Sequence, residues 1–405
     1  MTLLLVCSTG IESGYMAAPA AAYAAGGGAD VAISQYVESA AEPVTRDFPT
    51  ADGALVGSSY LWVDRLCGDG AAARPMCDDE IIAAAGQARD LVVAYPEHMS
   101  DWARAVGHQA RALAVPVRHA ESRFAGNELM LSVDEEAERC VARRDRYGRI
   151  MTQSGPGQAE HRRDLRICLV GQPRHHQAVN PATVAALADA ADALDVALDL
   201  RFLDAADSSP DSVSELLTWC DGVVLPGGDV ANAPLQMIVA RKALDLDKPT
   251  VGLCLGMQSM VTVFAQVRMG LRDMTLAELD PQAPVFSFES MTHPDGTSVR
   301  KLGKNKLHCV ETSDLGRALG TQPFVRLNHR YRLAPTLVPS LQAAGLVVAA
   351  DSADDGVIQA VELPSSRFFC GMQGHPECTS SRGQPHVLLT RFFEKAGQQP
   401  ERIGS

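Results

Sequence analysis

Cys254 stands in the stretch Pro249-Thr-Val-Gly-Leu-Cys-Leu-Gly-Met-Gln-Ser-Met260, between Gly252 and Gly256. Residues 250–253 form an apolar run with the character of a buried strand, and 258–266 carry helical spacing. A nucleophile on so sharp a strand-to-helix turn needs small neighbours, because the main chain bends beneath it and its side chain must stand clear. The helix that follows aims its first amides at the sulfur and favours thiolate over thiol. A structural cysteine at a strand end would carry the same local sequence, so the elbow alone does not decide between the two.

Two other stretches bear on the choice. Asp221-Gly-Val-Val-Leu-Pro-Gly-Gly228 reads as a strand running into a turn. Such a turn presents a bare backbone N–H to an oxyanion; here that of Gly228, with the N–H of Leu255 as the second donor. Phe368-Phe-Cys-Gly-Met-Gln-Gly-His-Pro-Glu377 reads as a strand followed by His375 and Glu377, two residues apart. That spacing lets an imidazole face the sulfur while a carboxylate holds its far nitrogen, the division of labour among nucleophile, base and orienting acid in acyl transfer.

Four motifs now stand in order: Leu225-Pro-Gly-Gly228, Gly252-Leu-Cys-Leu-Gly-Met-Gln258, Asn328-His-Arg-Tyr331 and Met372-Gln-Gly-His-Pro-Glu-Cys-Thr-Ser380. Together they resemble the class I (triad) glutamine amidotransferases, and most closely the glutaminase half of CTP synthase, over residues 165–396. The resemblance implies a flavodoxin-like α/β fold with a mostly parallel sheet over residues 165–405. It implies Cys254, His375 and Glu377 as the catalytic set, Gly228 and Leu255 as oxyanion donors, and Gly227, Gln258, Glu278 and Arg330 as substrate-binding residues. Glu278 would hold the amino group of glutamine and Arg330 its carboxylate; Gln258 would touch the substrate's α-substituents. By residue type alone Glu278 is a surface acid, Arg330 a strand arginine and Gln258 a first-turn capping side chain. The implied activity is hydrolysis of the γ-amide of glutamine, or of a glutamine-like donor, through a cysteine thioester. The implied partners are that amide, an ammonia acceptor in the N-terminal region or in a separate synthetase, and further copies of the chain. No cofactor and no metal is implied.

Two departures from the family pattern change these expectations. Residues 229–234 read Asp-Val-Ala-Asn-Ala-Pro, where the CTP synthase loop has an aromatic and glycine-arginine residues linked to GTP activation. Gly374 replaces a bulky aromatic before His375, which is expected to widen the site and admit a larger γ-glutamyl donor.

The elements around these motifs alternate. Strand character at 165–171, 196–203 and 221–225 alternates with helical spacing at 179–194 and 213–218, and 388–393 reads as a closing helix. Catalytic loops then gather at the carboxyl ends of the strands. Residues 1–150 form a smaller N-terminal α/β region, and 151–164, with Ser154-Gly-Pro-Gly-Gln158, a linker. The N-terminal region opens as strand 2–7, turn 8–14, Ala-rich helix 15–25 and strand 31–36. The turn sits where a phosphate loop would, without the Gly-Lys-Ser/Thr ending that supplies phosphate and magnesium contacts. It reads equally as a reduced synthetase-like domain and as a plain α/β domain, and ATP hydrolysis is not expected there. Further strands are expected at 88–95 and 115–118, a helix at 99–114, and a charged solvated helix at 134–146. Glu97, His98 and His119 fall at strand ends, and His175 and His176 follow the strand at 165–171; all five read as loop residues, without the further spaced ligands a metal site would need.

The net charge of -13 argues against nucleic acid or an anionic membrane surface as partner. No apolar run approaches a membrane span. Residues 2–7 lack a basic flank, so no secretory signal is expected, and ten scattered cysteines without a CxxC pair fit reduced thiols in the cytoplasm. Two other readings remain at this stage: a stand-alone amide hydrolase or γ-glutamyl-transferring enzyme, and a non-catalytic regulatory paralogue.

Overall fold

Val223, Val224 and Leu225, and Val251 and Leu253 in the next strand, are fully buried. Continuous apolar runs of this kind belong to parallel strands covered on both faces. The computed structural model describes residues 2–34, 57–68, 76–87, 90–152, 163–205, 209–293 and 295–398. Its contacts divide into two compact units, residues 1–159 with 174–185, and residues 160–173 with 186–405.

In the first unit β1 (Leu3–Ser8), α1 (Ala18–Gly27), β2 (Asp30–Ala32), α2 (Gly57–Cys67), α3 (Asp78–Ala85), β3 (Leu91–Pro96) and α4 (Ser100–Ala112) lead to β4 (Val117–Ala125), β5 (Glu128–Val133), β6 (Arg139–Arg144) and β7 (Ile150–Met151). The sheet order is β2-β3-β1-β4-β5-β6-β7. β1 to β4 are parallel, and β5 to β7 form an antiparallel meander. The strand–helix–strand opening is present, as expected. The helix expected at 134–146 is not: it is a turn and β6. Asp134 and Glu135 take φ of 49° and 64°, and β6 pairs with β5. The acids of the turn reach across strands rather than along a helix, Asp134 to Arg118 at 2.6 Å and Glu138 to Arg123 at 2.6 Å. Only Ala142 of β6 is buried, so no period-two apolar signal marks the strand. Residues 35–36 of the expected second strand, Ala88 and Arg89 of the third and 153–162 of the expected linker lie outside the described residues.

The second unit begins with β8 (Asp164–Val170). It continues through the latter part of α5 (Ala182–Ala193), β9 (Ala197–Leu203), α6 (Pro210–Trp219), β10 (Gly222–Leu225), α7 (Ala233–Asp245), β11 (Thr250–Leu253), α8 (Leu255–Arg268), β12 (Thr275–Leu276) and β13 (Phe286–Ser290). Then come β14 (Lys301–Cys309), α9 (Asp314–Leu319), β15 (Phe324–His329), β16 (Tyr331–Leu333), α10 (Val338–Ala343), β17 (Val347–Ser352), β18 (Ile358–Glu362), β19 (Phe369–Met372) and α11 (Val387–Gly397). The main sheet runs β15-β14-β17-β18-β19-β11-β10-β8-β9. It is mixed, which corrects the mostly parallel sheet expected above. β19, β11, β10, β8 and β9 are parallel; β15, β14, β17 and β18 are joined by antiparallel pairings. In the antiparallel half β14 leads to β15 through the short helix α9, while β17, β18 and β19 follow one another through short loops, connections that an antiparallel pair allows and a parallel one does not. A small sheet, β12-β13-β16, stands apart from it.

The core of this unit packs Val223 and Leu225 against Met257, Met260, Val261 and Phe264 of α8. From Leu255 to Ala265 every residue of α8 is buried. A helix buried all round is a central one, and its Leu, Met, Val and Phe side chains pack against neighbours on every side. Each such side chain contributes roughly 1.5–3 kcal/mol by leaving water, so the helix that follows Cys254 has little freedom to move.

Candidate active site

Three neighbouring strands, β10, β11 and β19, end in line. Leu225 pairs with Gly252, Gly252 with Gly371, and Leu253 with Met372. Their next residues are Pro226, Cys254 and Gln373, so three loops distant in sequence emerge side by side at the carboxyl ends of the sheet's parallel strands.

Cys254 is the elbow itself. It has φ 50° and ψ −107°, a conformation that a residue with a Cβ rarely holds, and it caps α8. Such a backbone costs about 1–3 kcal/mol and persists only where packing forces it. The flanking glycines show what forces it. A methyl on Gly256 would collide with the carbonyl of Leu225, and one on Gly252 with Met260 and the backbone of Gly256. The Cys254 N–H donates to Met372 O at 2.7 Å, tying the elbow to the neighbouring strand.

His375 Nδ1 lies 2.8 Å from Glu377 Oε1, and Glu377 is 1% exposed. The His375 N–H donates to Arg326 O at 2.7 Å, which pins the turn to β15. The other ring nitrogen, Nε2, is buried and makes no hydrogen bond. Burial opposes a charge on His375, but the Glu377 carboxylate and then the Cys254 sulfur outweigh it and raise its pKa well above the ordinary histidine value. Gly227 fills the space beside both groups: a Cβ there would stand 3.0 Å from His375 Cε1 and 3.3 Å from Cys254 Cβ.

Gly228 has φ of 142°, a region open to glycine, with empty space where a side chain would begin. Leu255 opens α8, and the first N–H groups of a helix have no partner within it. The turn carrying Gly228 is braced by Gln236, whose Nε2 donates to Pro226 O at 2.9 Å and whose Oε1 accepts from Ser259 Oγ of α8 at 3.0 Å. Beyond it, Asp229 accepts from the Ala231 N–H at 2.9 Å and starts a short turn into α7.

Gln258 belongs to the Cys254 cluster through Gln373: Gln258 Nε2 donates to Gln373 Oε1 at 3.3 Å, and Gln373 Nε2 lies 3.5 Å from Cys254 Sγ. Glu278 and Arg330 form a second grouping, ion-paired with each other at 3.1 Å. Asn328 Oδ1 accepts from Arg300 at 2.6 Å. His329 is buried, with Nδ1 2.9 Å from Tyr331 O and Nε2 3.4 Å from Gln359 Nε2. Burial pushes its pKa down to about 4, with the charge of His375 acting in the same direction. Two histidines of one buried region are thus driven apart, one toward the charged form and one toward the neutral form, a pattern that separates acid–base groups from their surroundings.

At Gly374 the position where a side chain would begin is already taken. A Cβ there would press on both methyls of Val325, at 2.6 and 2.9 Å, and on Arg326 O at 3.1 Å. The lost aromatic leaves no void because β15 closes onto the turn. His175 and His176 lie in a single wide helical turn, with His176 buried. Gln236, Gln359 and Gln373 escaped the sequence reading. Of these only Gln373 had a usable signal, its place between a strand end and His375.

The family model described as glutamine amidotransferase class-I matches residues 182–395. The CTP synthase of Lactiplantibacillus plantarum is 31% identical over 243 residues, 58% of this chain and 45% of that protein. The CTP synthase of Streptococcus agalactiae is 32% identical over 239 residues, 57% of this chain and 45% of that protein. The chain therefore spans less than half the length of these relatives. Among solved structures, the glutaminase domain of the Trypanosoma brucei CTPS, with bound acivicin, matches with a TM-score of 0.53 at 26% identity, over 57% of this chain and 93% of that one. Across residues 182–395, more than half its length, this chain belongs to the class-I glutamine amidotransferase family.

Proposed function

We propose that this protein hydrolyses the γ-amide of glutamine through a thioester on Cys254 and delivers the ammonia to an acceptor. The observation that carries this reading is the meeting of three adjacent strand ends: Cys254 on its strained elbow, His375 held by Glu377 at 2.8 Å, and the Gly227–Gly228 turn beside both. The likeness to CTP synthases and to a CTPS glutaminase domain supports glutamine as the donor.

His375 takes the Cys254 proton, and Glu377 steadies the imidazolium. The thiolate attacks the amide carbon, and the N–H groups of Gly228 and Leu255 stabilise the tetrahedral oxyanion. His375 returns its proton to the leaving nitrogen, and ammonia departs. Water, deprotonated by the same imidazole, then cleaves the γ-glutamyl thioester and releases glutamate. Glu278 and Arg330 carry the charges that complement the substrate's ammonium and carboxylate, and substrate would take the place each now occupies for the other.

The first unit is proposed to lack a working phosphate loop. Besides the missing lysine, the turn after β1 is filled by its own groups. Ser8 Oγ donates to Met16 O at 3.1 Å, the N–H groups of Tyr15 and Met16 bond to Glu12 and Ser13, and the Trp62 indole donates to Gly14 O at 2.7 Å. Two of these bonds occupy carbonyls and two occupy amides, so the turn is held by its own chain and by α2. The acceptor of ammonia would then be the first unit acting without ATP hydrolysis of its own, or a separate synthetase.

The test is glutamate release from glutamine, with Cys254→Ala as control. Release that depends on Cys254 supports the reading; release that survives the substitution, or no release, refutes it. CTP formation on adding ATP and UTP to this chain alone would overturn the assignment of the first unit.

A further inference from the structure

Gln373 lies between the end of β19 and the His375 turn, and none of its surface is exposed. Its main chain is anchored, since its N–H donates to Gln359 O at 2.7 Å. Its side chain reaches the elbow, with Nε2 3.5 Å from Cys254 Sγ. The opposite end of the same carboxamide, Oε1, accepts from Gln258 Nε2 at 3.3 Å. Gln258 is itself fixed in the first turn of α8, where its N–H donates to Cys254 O at 3.1 Å. The oxygen and nitrogen of a carboxamide point apart, so a donor on the oxygen turns the N–H face toward the sulfur.

An N–H directed at sulfur stabilises a thiolate more than a thiol, because hydrogen bonds to an ionised acceptor are about twice as strong as neutral ones. We propose that Gln373 donates a hydrogen bond to the Cys254 thiolate, and that Gln258 is a positioning residue which holds the Gln373 carboxamide in that orientation. Gln258 Oε1 is buried without a hydrogen-bond partner, so it can accept from a bound substrate while its nitrogen keeps hold of Gln373. This assignment rests on the reading of Cys254 as the nucleophile.

The test follows the sulfur directly. The full-length protein is treated with iodoacetamide over a range of pH, and alkylation of Cys254 is followed by peptide mass spectrometry, with Cys254→Ser marking background at the other cysteines. Gln373→Met, which keeps the length and removes the N–H, is expected to raise the pH midpoint of alkylation by about one unit, or about tenfold slower labelling below both midpoints. Gln258→Met is expected to move it the same way by less. A folded Gln373→Met protein with an unchanged midpoint overturns the proposal. So does a lowered midpoint, which would mean that the carbonyl oxygen faces the sulfur. Should Gln373→Met not fold, the midpoint of Gln258→Met decides: a rise supports the relay, and no rise rejects it. Alkylation needs no glutamine. A shifted midpoint without glutamate release therefore removes the glutaminase reading alone, and glutamate release with an unmoved midpoint removes the role of Gln373 alone.

Discussion

At the scale of single residues, the site depends on how closely groups approach. Gly227 stands within 3.0 Å of the His375 ring by the measure of a missing methyl. Gly227→Ala is expected to push the imidazole aside and lower kcat by roughly a hundredfold, since displacements near 1 Å cost about that much. Its thermal midpoint should change little, and kcat and melting measured on one preparation separate the two. Glu377→Gln removes the carboxylate that raises the pKa of His375. An imidazolium held to higher pH extends the proton donor into the alkaline range. The variant's rate should therefore fall away at lower pH on its alkaline side, as well as dropping by roughly 10²–10⁴-fold overall. A pH–rate profile whose alkaline limb does not move would remove Glu377 from that role.

At the scale of elements, a β–α elbow works only if the helix can sit against the strand beside it. Gly256 touches the Leu225 carbonyl with no room for a side chain, so α8 rests on the end of β10. Gly256→Ala is expected to destabilise the protein by about 1–3 kcal/mol, the usual range for overpacking, and to abolish glutamate release as the elbow opens. Urea unfolding measures the first effect and an activity assay the second. Gln236 is a subtler case. It bridges the Pro226 turn to Ser259 on α8, and neither partner reads as polar scaffold in sequence. Gln236→Met would leave the Pro226 carbonyl unsatisfied, at roughly 1–3 kcal/mol, and should slow turnover more than it raises KM, because the loosened turn carries the proposed oxyanion donor.

At the scale of the whole molecule, buried histidines set a pH dependence of stability. Burial lowers the pKa of His329 and of His386 to about 4 each. The unfolded chain binds protons on both near pH 6.5, while the folded chain excludes them until about pH 4. Between these values the unfolded state carries more protons, so stability falls as pH falls, by roughly 3 kcal/mol for each histidine over the full window. His386 accepts from the Leu388 N–H as the cap of α11. His386→Asn keeps a capping side chain but removes the titration. Its unfolding free energy should fall less steeply between pH 6.5 and 4, a slope read from urea titrations at several pH values; an unchanged slope would mean that His386 titrates normally in the fold. Among the described residues, no helix is long and apolar enough to cross a membrane.

The order of motifs, the elbow at Cys254 and the strand–helix alternation up to α8 were legible in the sequence, because a parallel strand buried on both faces leaves an unbroken apolar run and a sharp turn leaves glycines. The antiparallel half of the large sheet and the strand β6 were not, because their buried and exposed residues do not alternate with a clean period of two. Tertiary structure alone decided that Val325 closes the space at Gly374 and that Glu278 and Arg330 face each other. It alone brought Gln373 from the end of β19 to the sulfur on β11's elbow. Each is a distance between strands remote in sequence, set by sheet register and packing, to which no local pattern of residue types is sensitive.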